Sequence, residues 1–201
     1  MTETTSTPRT RMSAADRRDA LIRAAVPAFA DAGLHGTAVS TITDTVGVTQ
    51  PYAFSLFKTK KGLFLAAVEH GFDRVEETFR AAAAGAAAGE RLAAMGQAYV
   101  GLLEDRALLR LQLQAYAASG DDDVRAVVHR RYAQLYTLVR ELSGAGPEDL
   151  RRFFGDGMLL NVAAAIDLPL FAEDEAWLSA CDPAGAGAAA GGGSSPAPAP
   201  S

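Results

Sequence analysis

The sequence predicts an all-α protein, a small N-terminal helical unit joined to a larger helical body, and three observations carry that prediction. Ala and Leu dominate a chain in which 49% of residues are hydrophobic. Apolar–polar alternation of the strand type is absent, and turn residues fall between stretches of helical length. The 201 residues are enough to bury a sizeable core in one large domain or two small ones. No apolar run approaches the roughly 18 residues that a spanning helix needs. The stretch from Met1 to Arg11 is Thr-rich and polar, without the apolar segment of a secretory signal. A single cysteine, Cys181, allows neither an intramolecular disulfide nor a cysteine-based zinc cage, so the expected compartment is the reducing cytosol.

Each helix can be justified in order. The first starts at Ser13, with Asp16 three residues on, a relative of the capping box. Ile22, Val26, Phe29 and Ala30 follow on one face until Gly33 ends it, and Pro27 is expected to kink the helix by removing a backbone donor. Ser40 is expected to cap a short helix over 41–46, stopped by Gly47. Thr49 then caps a second short helix over 50–57, with Pro51 tolerated in its first turn. Two helices of this size around Gly47, Val48 and Thr49 have the shape of a helix-turn-helix, completing an N-terminal three-helix bundle. Thr43, Gly47 and Ala53 occupy its small, turn and apolar places.

Thr59 can cap a longer helix whose apolar face is Leu63, Phe64, Ala67, Val68, Phe72, Val75 and Phe79. It fades into low-complexity residues 81–89, a frayed end or a loop. Further helices are expected over 90–103, 105–118, 121–142 and 147–168, the last ended by Pro169. Asp121 to Asp123, and Glu148 with Asp149, sit at helix starts, where carboxylates favour the dipole. A short amphipathic piece surrounds Trp177, and 183–201 contain only Pro, Ala, Gly and Ser, a composition expected to be disordered. The domain reading is a disordered arm over 1–12, a helix-turn-helix unit over 13–59, a helical body over 60–182 and a tail over 183–201.

The formal net charge of −5 argues weakly against a nucleic-acid partner, but its distribution reverses that reading. Residues 1–70 carry eight basic and six acidic side chains, against eleven and eighteen in residues 71–201. All the lysines are Lys58, Lys60 and Lys61, and no acid lies between Asp44 and Glu69. From charge alone this is either a solvated basic turn or a patch for a polyanion.

Residues 35–68, HGTAVSTITDTVGVTQPYAFSLFKTKKGLFLAAV, resemble the DNA-binding segment of the Tet-repressor family of bacterial transcription regulators. Ile42, Gly47, Val48, Thr49, Phe57, Thr59, Lys60 and Leu63 match the family pattern, and Phe29 and Gly33 match the preceding element. Phe54 stands where a tyrosine is usual, Thr43 where an alanine is usual, and Lys61 where a glutamate often follows the lysine. A helix N-terminus aimed at the major groove would present Thr49, Gln50, Pro51 and Tyr52 to base edges. Gln50 can bind adenine bidentately, and Thr49 or Tyr52 can meet a thymine methyl. Lys60 combines ammonium charge with free backbone N–H groups and suits a phosphate. The DNA-contacting set expected on this resemblance is Thr37, Ser40, Thr41, Thr49, Gln50, Pro51, Tyr52, Ser55, Lys58 and Lys60, with Lys61 adding non-specific attraction.

The rest of the chain resembles the family only helix by helix. Met95, Tyr99, Leu103, Leu111, Leu113, Tyr116, Tyr132 and Tyr136 fall at helical spacings, as core or as the lining of an apolar pocket. The resemblance implies the pocket, for an apolar or aromatic small-molecule effector. The expected lining is Met95, Tyr99, Leu103, Gln112, Tyr116, Tyr132, Tyr136 and Asn161, with Gln112, Gln114 and Asn161 as orienting groups. Gly157 and Ala164, one heptad apart, allow close approach of another helix, either within the chain or across a homodimer. Similar proteins dimerise here, so Phe153, Gly157, Leu160 and Ala164 are the expected interface of a two-fold dimer on a palindromic double-stranded operator.

No enzyme chemistry is visible. His35, His70 and His129 match no metal-ligand spacing, no Gly-x-Ser-x-Gly occurs, and Glu76 and Glu77 point apart on a helix. No catalytic residue, metal, cofactor or membrane partner is expected. The leading expectation is a cytoplasmic repressor released by a ligand. The rivals are a regulator without an effector or with activating sign, and a helical binding protein or enzyme with a vestigial motif.

Overall fold

The computed structural model describes residues 13–168. The arm over 1–12, Pro169, the piece around Trp177, Cys181 and the tail over 183–201 lie outside the described residues. Within them the chain forms α1 (Ala14–Gly36), α2 (Val39–Val46), α3 (Gln50–Phe57), α4 (Lys60–Ala84), a 3₁₀ turn (Ala88–Glu90), α5 (Arg91–Leu102), α6 (Arg106–Ala117), α7 (Asp122–Ser143) and α8 (Pro147–Ala165). No strand is present among the described residues. No helix there is long and apolar enough to cross a membrane.

α1 opens on the expected capping box: the Asp16 N–H donates to the Ser13 hydroxyl, and the Ser13 N–H to the Asp16 carboxylate, each at 3.0 Å. The helix continues through Pro27 with no break in its dihedrals. Pro27 and Arg23 both face solvent, so the carbonyl that loses its partner is hydrated, and the fixed φ of proline suits the helix. The interruption falls instead at Gly33, with φ 67° and ψ −177°. Ser40 is not the cap of α2, which starts at Val39 with Ala38 as an N-cap lacking a side-chain hydrogen bond. Burying Val39, Ile42 and Thr43 on one face draws Val39 into the helix and leaves Ser40 inside it. The Thr43 hydroxyl, in a place suited to alanine, donates to the Ser40 carbonyl at 3.0 Å and so enters the core satisfied.

Gly47 closes α2 in the left-handed conformation, Thr49 caps α3, and Thr59 caps α4 through the Gly62 N–H. Phe29 of α1 and Phe64 of α4, both fully buried, meet edge to face at 5.0 Å and centre the N-terminal core. α4 then runs into the body, placing Phe72, Val75 and Phe79 against α5, α6 and α7. The low-complexity stretch is resolved as the last turn of α4 and the 3₁₀ turn. α8 ends at Ala165, short of the expected 168; Asp167 takes φ 53°, and the Leu168 N–H returns to the Ala163 carbonyl at 2.9 Å.

Candidate functional site

Local sequence fixes the orientation of α3. Ala53 and Phe57 are its buried residues, so Gln50, Pro51, Phe54 and Ser55 turn outward with Thr49 and Lys58. The Thr49 hydroxyl accepts from the Tyr52 N–H at 3.4 Å, and the Ser55 hydroxyl donates to the Tyr52 carbonyl at 2.7 Å. Tyr52 is half-buried, with the Arg17 guanidinium 5.9 Å from its ring centre, while Arg18 lies 5.3 Å from the ring of Phe57. These two arginines bring positive charge from α1 to the edge of α3. The sequence reading missed them because nothing in the spacing of α1 says which side chains stack on a later helix.

Two members of the expected DNA-contacting set, Thr37 and Lys60, and Lys61 beside them need correction. Thr37 is only 5% exposed, and its hydroxyl donates to the carbonyls of Gly33 at 2.7 Å and Ala28 at 3.1 Å. Both bonds turn it toward α1 and away from solvent. Lys60 holds the α1–α2 connection, its ammonium donating to the carbonyls of His35 at 2.9 Å and Thr37 at 3.2 Å, so it keeps its charge but is tethered to that connection. Lys61 turns to the body, pairing with Asp121 at 3.1 Å and with Asp123. Both bonds hold the Lys61 ammonium above its ordinary pKa, and Lys61 holds the Asp121 carboxyl below its own. Thr41 is exposed and Ser40 half-buried beside α3.

A cavity lies between α4, α5, α6, α7 and α8, with empty space of about 830 Å³, its mouth included. Tyr99, Leu103, Gln112, Tyr116, Tyr132 and Asn161 line it as expected from sequence. Met95 is instead fully buried core, and Tyr136 packs on Phe154 at 5.3 Å behind the lining. Gln114 is also no orienting group there. It faces α1, its amide nitrogen 3.5 Å from the Ala30 carbonyl. Helix geometry separates the two glutamines, because residues two apart point to nearly opposite sides. The polar end of the cavity is a chain: the Tyr99 hydroxyl donates to Asn161 Oδ1 at 2.7 Å and lies 3.5 Å from Gln112 Oε1, while Gln112 Nε2 donates to the Tyr116 hydroxyl at 2.9 Å. Burial raises the Tyr99, Tyr116 and Tyr132 phenols above their ordinary pKa, the signature of a weakly solvating interior. No group of three or more His, Cys, Asp or Glu suited to a metal occurs among the described residues.

Residues 21–67 match the family model described as bacterial regulatory proteins, tetR family. This stretch therefore carries the DNA-binding domain of the TetR family. The architecture agrees. A putative transcriptional regulator from Pseudomonas aeruginosa PAO1 is 22% identical, with a TM-score of 0.65 over 86% of this chain and 88% of that one. A TetR-like regulator from Rhodococcus sp. RHA1 is 20% identical, with a TM-score of 0.63 over 86% and 93%. FadR from Bacillus subtilis, solved with stearoyl-CoA, is 19% identical, with a TM-score of 0.64 over 82% and 95%. At such identities the likeness establishes the fold. No curated protein sequence matches the chain.

The match ends at Ala67, inside α4, so the cavity and α8 lie beyond it. Three of the residues expected at a dimer interface on α8 face inward: Phe153 lines the cavity and meets Phe79 at 5.7 Å, Gly157 lies against Tyr99, and Leu160 is buried. Ala164 is half-buried, and its carbonyl accepts from Arg106. The outward stripe is Leu159, Val162 and Ile166, exposed to 42%, 44% and 63% and spaced i, i+3, i+7. A helix that is apolar all round hides the distinction in sequence, since both faces read as core.

Proposed function

We propose that this chain is a sequence-specific TetR-family regulator that binds a two-fold operator as a homodimer, most simply a cytosolic repressor released by a small molecule in the cavity. The observation that carries the DNA-binding half is the outward face of α3. Gln50, Pro51, Phe54 and Ser55 stand free, acid-free sequence surrounds them, and Lys58, Arg17 and Arg18 flank them. Base edges would be read by Gln50, whose amide can pair with adenine, and phosphates would be met by Lys58 and the α4 N-terminus. The stearoyl-CoA in one structural neighbour supports a small-molecule effector, as does an apolar cavity with a few polar groups converging at one end.

Release would pass through two helices that touch both functions. α4 begins beside the DNA-facing turn and lines the cavity with Val68, Phe72, Val75 and Phe79. α6 lines it with Leu108, Leu111, Gln112 and Tyr116, and grips α1 through Gln114 and through Arg110, 2.9 Å from Asp31. A ligand acts only by its differential affinity for two arrangements of the reading heads, typically about 1–3 kcal/mol of coupling.

The test is fluorescence anisotropy with DNA from upstream of the chain's own gene. Binding should be tight and salt-dependent, Lys58→Ala should weaken all sequences alike, and Gln50→Ala should relax preference at particular bases by about 1–3 kcal/mol. Equal affinity for that DNA and for random sequence would refute the specific-regulator reading.

A further inference from the structure

The cavity is lined by no Asp, Glu, Lys or Arg. Its polar groups are Gln112, Asn161 and the three phenols, gathered where α5, α6, α7 and α8 meet. Hydrogen-bond accounting shows which of them remain unused. The Tyr99 proton goes to Asn161 Oδ1, and Gln112 Nε2 supplies the Tyr116 oxygen. Among the described residues the Tyr116 proton has no acceptor, and neither does Asn161 Nδ2, on a side chain only 2% exposed. Asn161 is among the residues that line the cavity, and so is Tyr116. Spare capacity at this end therefore consists of donors.

We propose that the occupant is an uncharged, mainly apolar molecule carrying a hydrogen-bond acceptor of the carbonyl type, received by the Tyr116 hydroxyl and the Asn161 amide. The proposal rests on the effector reading of the cavity and adds the chemical class of the effector. An anionic head has no cation to meet within the lining, and the interior that holds three phenols neutral would penalise a carboxylate in the same way. A ligand without an acceptor would leave two buried donors unmet. Phe72, Val75, Phe79, Phe153 and Leu111 supply the apolar body of the site.

The experiment uses the full chain and three probes of one shape: 2-acetylnaphthalene, 2-isopropenylnaphthalene and 2-naphthoate. Affinities come from ligand-dependent shifts in melting temperature. The ketone should bind about five- to tenfold more tightly than the hydrocarbon, and at least about tenfold more tightly than the carboxylate. Tyr116→Phe should bring the ketone down to the level of the hydrocarbon while leaving the hydrocarbon unchanged, which a merely structural role would not do. Asn161→Leu is a second variant with the same expected pattern, and the melting point of each unliganded variant reports its fold. Carboxylate binding as tight as the ketone overturns the neutral class. Ketone and hydrocarbon binding alike overturns the donor assignment. In both cases the effector cavity stands. Failure of all three probes to bind overturns the effector reading and the proposal with it.

Discussion

Lys58 takes φ 68° and ψ −49°, a conformation that costs a residue with a Cβ on the order of 1–2 kcal/mol. The turn keeps it because a glycine there would give up the one flanking lysine whose ammonium is bound only locally, to the Ser55 carbonyl at 3.4 Å. Lys58→Gly is therefore expected to raise the melting temperature by a few degrees, the relieved strain exceeding the added chain entropy, while lowering affinity for every DNA sequence. Calorimetry and anisotropy on the same preparation check both signs. Gly33 presents the opposite case. An alanine there would meet φ 67° and also place its Cβ 2.6 Å from Gln114 Oε1, whereas an alanine at Gly47, with φ 71°, would meet nothing within 4 Å. Gly33→Ala should thus cost more than the roughly 1 kcal/mol of conformational strain expected for Gly47→Ala. The combination of φ 67° with ψ −177° is a region essentially reserved for glycine, while Gly47 sits in the ordinary left-handed region. Adding Gln114→Ala should therefore leave most of the excess at residue 33, which a double-mutant cycle in urea measures.

At the scale of helices, the elements declared themselves through caps and stops, and their partners did not. Ser13 with Asp16, Gly47, Thr49 and Thr59 each mark a terminus by local chemistry, and the structure uses every one. Ser40 misled because tertiary burial, which local pattern does not contain, decides whether a serine caps a helix or sits inside it. The cavity was half legible. Tyr99, Tyr116 and Asn161 stand at helical spacings, but which of Gln112 and Gln114 faces inward depends on how α6 rolls between α1 and the body. The Lys61 pair with Asp121 and Asp123 is a long-range contact of the same kind, joining α4 to the start of α7. Its pH dependence has a definite sign. The folded pKa of Asp121 lies below its ordinary 3.8, so its contribution is complete above that value and is lost as pH falls through the lowered one. Lys61 is raised above 10.5, so its share is complete below that value and is lost as pH rises through the raised one. The stability gap between the natural chain and Lys61→Met should be flat across neutral pH and should close at both extremes. A gap that changes between pH 6 and 8 would mean another group controls this junction.

For the molecule as a whole, one reading head is not enough. A single α3 touches few base pairs, whereas two heads about 34–36 Å apart, or a multiple of that, enter successive major grooves and multiply specificity. Leu159, Val162 and Ile166 offer a face on which two copies could join, since large apolar side chains aligned on a helix and left at 42%, 44% and 63% exposure are unfavourable in water. A two-fold axis across α8 would pair this stripe with itself, a self-complementary and closed contact. It also sets α8 directly behind the cavity wall of Phe153, Gly157 and Asn161, so occupancy of the cavity and the spacing of the heads would share one helix. Val162→Glu places a carboxylate opposite its own copy across that axis and desolvates both. The expected result is a monomer by light scattering, with α1 to α7 intact by circular dichroism, because Val162 makes no part of the buried core. Operator affinity should fall by orders of magnitude while binding to random DNA, an electrostatic property of each head, falls far less. Leu160→Glu is the control for the inward face, where Leu160 is 8% exposed, and should destabilise the fold itself. A Val162→Glu protein that remains dimeric would place the interface elsewhere and detach α8 from the spacing of the heads.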